Sequence, residues 1–198
     1  VLMVLKAGPA AAGVKSRQFG LLTHWACISK PVAFVSAIVA LYPEGVAHLY
    51  DVETWRGAFS QPMTMLHWSV LSKASYELTL TLAKACPSAA SIKCAGRMPL
   101  HNAVEMGVSV EIVDCLLEAF PGATKVRVGQ GKSAGLPLHW ACRPDSKALI
   151  ATVKTLLDVD SSAAKEVDGA GKLPLRFCYE WDAPEEMTNL LHDAYPEA

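Results

Sequence analysis

The sequence predicts an all-α chain of stacked helix-turn-helix repeats joined by hairpin-like loops, and three observations carry that prediction. The first is a motif that recurs along the chain. Leu136-Pro137-Leu138-His139-Trp140-Ala141-Cys142 is echoed by Met98-Pro99-Leu100-His101-Asn102-Ala103 and by Leu173-Pro174-Leu175-Arg176-Phe177-Cys178. Looser copies stand at Thr64-Met65-Leu66-His67-Trp68 and Leu21-Leu22-Thr23-His24-Trp25-Ala26-Cys27. The anchors His24, His67, His101, His139 and Arg176 are separated by 43, 34, 38 and 37 residues, a period typical of arrays whose units bury their apolar faces on one another. The second observation is a stop signal. An aromatic or cysteine precedes proline at Tyr42-Pro43, Cys86-Pro87, Phe120-Pro121 and Tyr195-Pro196, and these prolines fall 19, 20, 20 and 20 residues after their anchors. A small residue follows two positions later, at Gly45, Ala89, Ala123 and Ala198, while the fourth repeat offers Ser161 and Ala163 after two extra residues. The third observation is helical periodicity between the two landmarks.

In the third repeat, His101 to Met106 supplies a short helix ended by Gly107, a residue suited to the left-handed closing conformation. Val110, Val113, Leu116 and Leu117 then form one apolar stripe of a second helix, which Pro121 and Gly122 stop. Ile150, Val153, Leu156 and Leu157 copy this stripe in the fourth repeat, and Met187, Leu190 and Leu191 in the fifth. Between repeats, Val128-Gly129-Gln130-Gly131-Lys132 and Asp168-Gly169-Ala170-Gly171-Lys172 carry turn chemistry suited to finger-like hairpins.

These residues resemble the ankyrin repeat, in which a turn and Gly-x-Thr-Pro-Leu-His-x-Ala precede a helix pair. The run from Gly96 to Ala103 departs from that pattern only by Met98 in place of threonine, and Glu111 to Leu117 is similar to the family's second helix. The flavour of the motif resembles the divergent ankyrin proteins common in diatoms and oomycetes. The resemblance implies one ankyrin-type α-solenoid domain over residues 1–198. Residues 1–18 form the tail of a preceding repeat, and repeats follow at 19–61, 62–95, 96–133, 134–169 and 170–198.

Several departures shape the reading. Only Thr64 keeps the motif threonine; Leu21, Met98, Leu136 and Leu173 replace it elsewhere, so the ties between turns become more apolar. Arg176 replaces the motif histidine in the fifth repeat. The long first interval places an insertion at about 51–62, containing Trp55, Arg56 and Phe59, and insertions in such arrays project as loops on one face. The chain starts inside a repeat and ends without a polar cap. It therefore reads as a fragment of a longer repeat protein, or as one whose ends are covered by neighbours.

Composition narrows the function. Of 198 residues, 52% are apolar and 19% charged, with net charge -1, which describes a folded chain with no basic stripe for nucleic acid. The charge-free stretch from Pro31 to Tyr42 is too short to span a bilayer, which needs roughly 20 residues. The helix there lacks any charge, and a partner protein or the 51–62 insertion is expected to cover it. The six cysteines form no CxxC pair and read as reduced core residues, set against a disulfide or an unrecognised site. Gly129-Gln130-Gly131-Lys132-Ser133 lacks the first glycine of a phosphate-binding loop, where Val126 stands, and fits a finger better. The pairs His24/Cys27 and His139/Cys142 have no further ligands to complete a metal site. Trp25, Trp68 and Trp140 fit packing between repeats, or partial exposure along a concave face. No nucleophile, dinucleotide or acid-base constellation is present, so no enzyme activity, cofactor or metal is expected.

The resemblance implies that a partner protein contacts the finger tips and inner helices. It places there Arg97, Lys132 and Lys172 from the fingers, with Glu105, Met106, Arg143, Glu180 and Trp181 from the inner helices. Trp55 and Arg56 of the insertion join them. The expected function is a non-catalytic protein-interaction scaffold, free or built into a larger assembly of several subunits. The alternative is the substrate-targeting module of a longer enzyme such as a kinase or ubiquitin ligase. A cytoplasmic or nuclear setting is the default, with an organelle interior left open.

Overall fold

The computed structural model describes residues 22–49, 62–144, 146 and 148–197. Among them the chain is all-helical, with ten α-helices, several 3₁₀ turns and isolated bridge pairings. The contacts divide the chain into two compact units, Val1–Ala95 and Gly96–Ala198. The division falls between the second and third repeats of the sequence reading.

The first unit holds α1 (Leu22–Ser29), α2 (Val32–Leu41), α3 (Met65–Leu71) and α4 (Tyr76–Ala85). α1 packs on α2, α3 on α4, and α2 on α4. Thr64 caps α3: its hydroxyl accepts from the His67 backbone N–H at 3.4 Å and lies 2.8 Å from His67 Nδ1. One side chain thus satisfies an orphan N–H and orients the motif imidazole. Ser75 caps α4 in the same manner, accepting from Leu78 at 3.3 Å. α2 buries Val35, Ile38 and Val39, and its exposed positions are Ala33, Ser36 and Ala40. Its missing charge therefore reflects small residues on the wet side, and Phe34 is half-buried. The 51–62 insertion lies outside the described residues up to 61.

The second unit holds α5 (Pro99–Met106), α6 (Val110–Ala119), α7 (Pro137–Ala141), α8 (Ile150–Val159), α9 (Pro174–Trp181) and α10 (Glu185–Ala194). α5, α7 and α9 pack in succession, as do α6, α8 and α10, and each short helix packs on the longer one that follows. Each short helix opens with proline at its first position, where a missing N–H costs nothing and the fixed φ already suits a helix. That proline does part of the work of the absent threonine cap. Met98 and Leu136, in the cap position, are 1% and 4% exposed, so apolar burial supplies the rest.

The longer helices end alike. α2, α4, α6, α8 and α10 each span ten residues. Each stops at a residue with φ between −150° and −141° and ψ between 73° and 85°: Tyr42, Cys86, Phe120, Asp160 and Tyr195. The first four lead into a 3₁₀ turn in which Gly45, Ala89, Ala123 or Ala163 is buried. A Cβ on Gly45 would lie 2.8 Å from Thr23 Oγ1 and 2.9 Å from the Tyr42 ring. The recurrent small residue is therefore a packing requirement. The apolar stripe differs in one respect from the sequence reading. Ile112 and Thr152 are buried beside Val113, Leu116, Leu117, Val153, Leu156 and Leu157, whereas Val110, Ile150 and Leu190 are half-buried. Val110 and Ile150 open their helices and reach only the rim of the interface.

Candidate functional site

Two fingers border the short helices of the second unit. In the first, Val128 and Gly135 exchange backbone hydrogen bonds at 2.9 Å around a turn whose Gly129 and Gly131 have φ of 100° and 53°. In the second, the Asp168 backbone N–H donates to the Lys172 carbonyl at 2.8 Å, and its carboxylate accepts from Ala170 and Lys172 at 2.8 and 2.9 Å. The fingers are joined directly, because Gly169 N–H donates to the Ala134 carbonyl at 2.7 Å. The Gly129–Ser133 run is thus a finger turn.

Behind the fingers the motif histidines are buried and occupied. His101 Nε2 donates to the Val126 carbonyl at 3.1 Å. His139 Nδ1 accepts from the Leu136 backbone N–H at 3.2 Å, which puts its proton on Nε2. That nitrogen faces the Glu166 and Lys172 backbone without a fully formed hydrogen bond. Burial holds the His139 pKa below its ordinary value, against the opposing influence of Asp168. Cys142, three residues on, is fully buried with its thiol against that of Cys178. The pair His139/Cys142 is therefore committed to packing, and all six cysteines are free and buried.

The exposed edge of this layer is a ladder of cations on aromatic rings. Trp140 is 7% exposed, and the guanidinium carbons of Arg97 and Arg143 stand 4.6 and 4.3 Å from its ring centre. Arg143 also lies 5.9 Å from the Phe177 ring, and Lys172 Nζ lies 5.6 Å from it. Such contacts are worth roughly 0.5–1 kcal/mol each at exposed sites and about 2 when desolvated. Acids complete the arrangement. Arg97 pairs with Glu105, and Lys172 pairs with Glu180 at 2.8 Å. Arg176 adds a 3.2 Å contact to Glu180. The Lys172 and Arg176 hydrogen bonds hold the Glu180 carboxyl below the usual carboxylate range.

The structure thus brings together Arg97, Glu105, Arg143, Lys172 and Glu180. Met106 is half-buried at the end of α5, and Lys132 is exposed in the Gly131–Ser133 turn of the first finger. The Trp181 indole N–H donates to the Cys142 carbonyl at 2.8 Å, tying α9 to the end of α7. Trp55 and Arg56 lie outside the described residues, as does the side chain of His24. Phe177 and Arg176, which the sequence placed in the motif but not among the contact residues, also join this edge. The available signal was the aromatic directly after the fourth and fifth anchors, with a cation two residues before the motif proline at Arg97 and Lys172. No helix among the described residues is long and apolar enough to cross a membrane. No group of three or more metal-ligating side chains occurs among them.

No protein-family model matches the chain, and no curated protein matches it in sequence.

Proposed function

We propose that the chain is a non-catalytic protein-interaction scaffold, an ankyrin-type array whose second unit presents a partner-binding face. The observation that carries this reading is the ladder of Arg97, Arg143 and Lys172 on Trp140 and Phe177. Arginine and aromatic residues together supply most of the energetic anchors of protein interfaces. Rings that fix the cations in advance reduce the side-chain entropy lost on binding. The long helices carry the opposite character: Glu111, Asp114 and Glu118 on α6, and Glu185, Glu186 and Asp193 on α10, are exposed. The second unit therefore has a cationic, ring-supported edge and an acidic back. In a larger assembly the edge would take the specific partner.

Cross-linking mass spectrometry on native source material tests the proposal. The expected result is one dominant neighbour linked in fixed proportion to Lys132 and Lys172, with few links to Lys154 on α8. Links confined to Lys154, or no protein neighbour at all, would overturn it.

A further inference from the structure

Four residues after each anchor, at the ends of the three short helices of the second unit or just past them, stand Glu105, Arg143 and Glu180; four residues before each anchor stand Arg97, Gly135 and Lys172. In the two outer repeats these positions pair as finger cation with helix acid, Arg97 with Glu105 and Lys172 with Glu180. The middle repeat breaks the pattern. The position after its helix is a cation, and its finger position is glycine. A side chain there would be crowded, since a Cβ on Gly135 would lie 3.0 Å from the His139 Cβ.

Arg143 is consequently a cation with no carboxylate partner among the described residues. It is held all the same. Its Nη2 donates to the Ser133 carbonyl at 2.7 Å, and its guanidinium rests 4.3 and 5.9 Å from the Trp140 and Phe177 rings. One donor is used, and the rest of the planar fork, which suits a carboxylate in two-point contact, is left over. Neighbouring Arg97 and Lys172 already have their acids, so among the described residues the unmet charge is local to one repeat.

Resting on the protein-binding reading above, we infer that Arg143 is the anchor for a single carboxylate, supplied by an acidic side chain of an extended partner segment. Charge pattern selects that occupant. Glu105 and Glu180 hold the equivalent positions on either side, so the column reads acid, base, acid. A continuous polyphosphate would set its charges against both acids, whereas one isolated carboxylate between polar or basic neighbours meets the column with opposite sign at each step.

The test is selection of a phage-displayed library of random dodecapeptides on the full chain. Enriched peptides are then titrated by fluorescence anisotropy against wild type, Arg143→Gln and Arg143→Lys. The inference expects a shared acidic position and an affinity loss of about tenfold or more with Arg143→Gln. It expects a smaller loss with Arg143→Lys, which keeps the charge without the fork. Changing that peptide acid to its amide should cost nothing further in the Arg143→Gln background. Where Arg143→Gln fails to fold, the amide peptide on wild type and the Arg143→Lys variant read the same contact. Peptides that bind wild type and Arg143→Gln equally would overturn the carboxylate anchor and leave protein binding standing. A selection that enriches no peptide would overturn both. A single-stranded oligonucleotide whose binding drops with Arg143→Gln would assign the residue to polyphosphate and overturn the inference.

Discussion

The imidazole of His101 and the indole of Trp140 meet edge to face, with ring centres 6.5 Å apart and planes at 90°. His139 and Phe177 repeat that geometry at 6.5 Å and 90°. In each case the aromatic follows its own anchor and packs on the anchor of the repeat before. The motif histidine therefore has two tasks. One ring nitrogen binds backbone within its own repeat, and its ring edge seats the next repeat's aromatic. That aromatic in turn presents a face to the arginines at the exposed edge. Packing between repeats and the character of the candidate binding face are consequently one structure, and a change in one must appear in the other.

Trp140→Ala tests that coupling. Removing a nearly buried tryptophan costs roughly 3–5 kcal/mol, read as a fall in the denaturant midpoint. Phe177→Ala should cost less, because Phe177 is only half-buried. Trp140→Phe keeps a ring for both guanidiniums and removes an indole N–H that has no hydrogen-bond partner among the described residues, so its loss should be well below that of alanine. A Trp140→Ala loss under about 1 kcal/mol would show that the stacked rings do not hold the repeats together.

Much of this organisation is legible in the chain itself. The recurrent prolines open the short helices, the aromatic or cysteine stops close the long ones, and the small residue two places on is buried, at Gly45 with no room for a Cβ. These are local signals, and each repeat states them again. The cationic ladder is less visible because it joins positions about forty residues apart, as Arg97 and Trp140 do, and depends on how three repeats stack. The Trp181 tie is hidden for a related reason: its partner is the Cys142 backbone carbonyl, and a backbone acceptor has no sequence signature. Asp160, ending α8 with the same dihedrals as Phe120, shows the converse. The backbone stop survives when the residue type that announced it is lost; there the carboxylate accepts from Ser162 at 2.5 Å and from Thr124 at 3.3 Å.

Stability should fall on mild acidification through His139. Burial holds its folded pKa below the ordinary 6.5, so the unfolded chain binds a proton more readily than the folded one. Stability is then fully present above about pH 6.5 and declines as pH drops below it, towards the lower folded value. The urea midpoint of wild type should decrease between about pH 7 and pH 5.5, and His139→Gln should flatten that dependence while lowering the plateau. An unchanged slope in His139→Gln would place the acid sensitivity elsewhere.

The finger junction makes a sharper steric prediction. A Cβ on Gly169 would stand 1.9 Å from the Gly131 carbonyl oxygen, and that oxygen belongs to backbone, which cannot swing away. Gly169→Ala must separate the two fingers and break the 2.7 Å bond from Gly169 to Ala134. A destabilisation of about 1–3 kcal/mol follows from overpacking of this kind. Gly96→Ala, whose Cβ would meet nothing within 4 Å despite a φ of 78°, isolates the backbone penalty of roughly 1–2 kcal/mol. If Gly169→Ala is no worse than Gly96→Ala, the fingers are not in contact in solution.

The thiols supply a chemical measure of the same packing. The reactive species is the thiolate, and the fold suppresses it in two ways. Burial pushes Cys27 up to about 12 and raises Cys94. Hydrogen bonding to Cys178 and burial together raise Cys142 well above its ordinary value. Cys178 is the exception in charge, because the Cys142 thiol holds its pKa down, yet it is only 1% exposed. Access and ionisation thus oppose each other at Cys178 and reinforce each other at Cys142. Iodoacetamide at about pH 8 should leave all six cysteines unlabelled in the folded chain over times that label the denatured chain fully, as read by intact mass. As urea is raised, Cys178 should be alkylated ahead of Cys142, because it lies on α9 and a local opening of that helix carries its thiol into solvent. Equal rates at the two positions across the whole titration would mean that α7 and α9 open only together, and that the last helix pair has no independent motion.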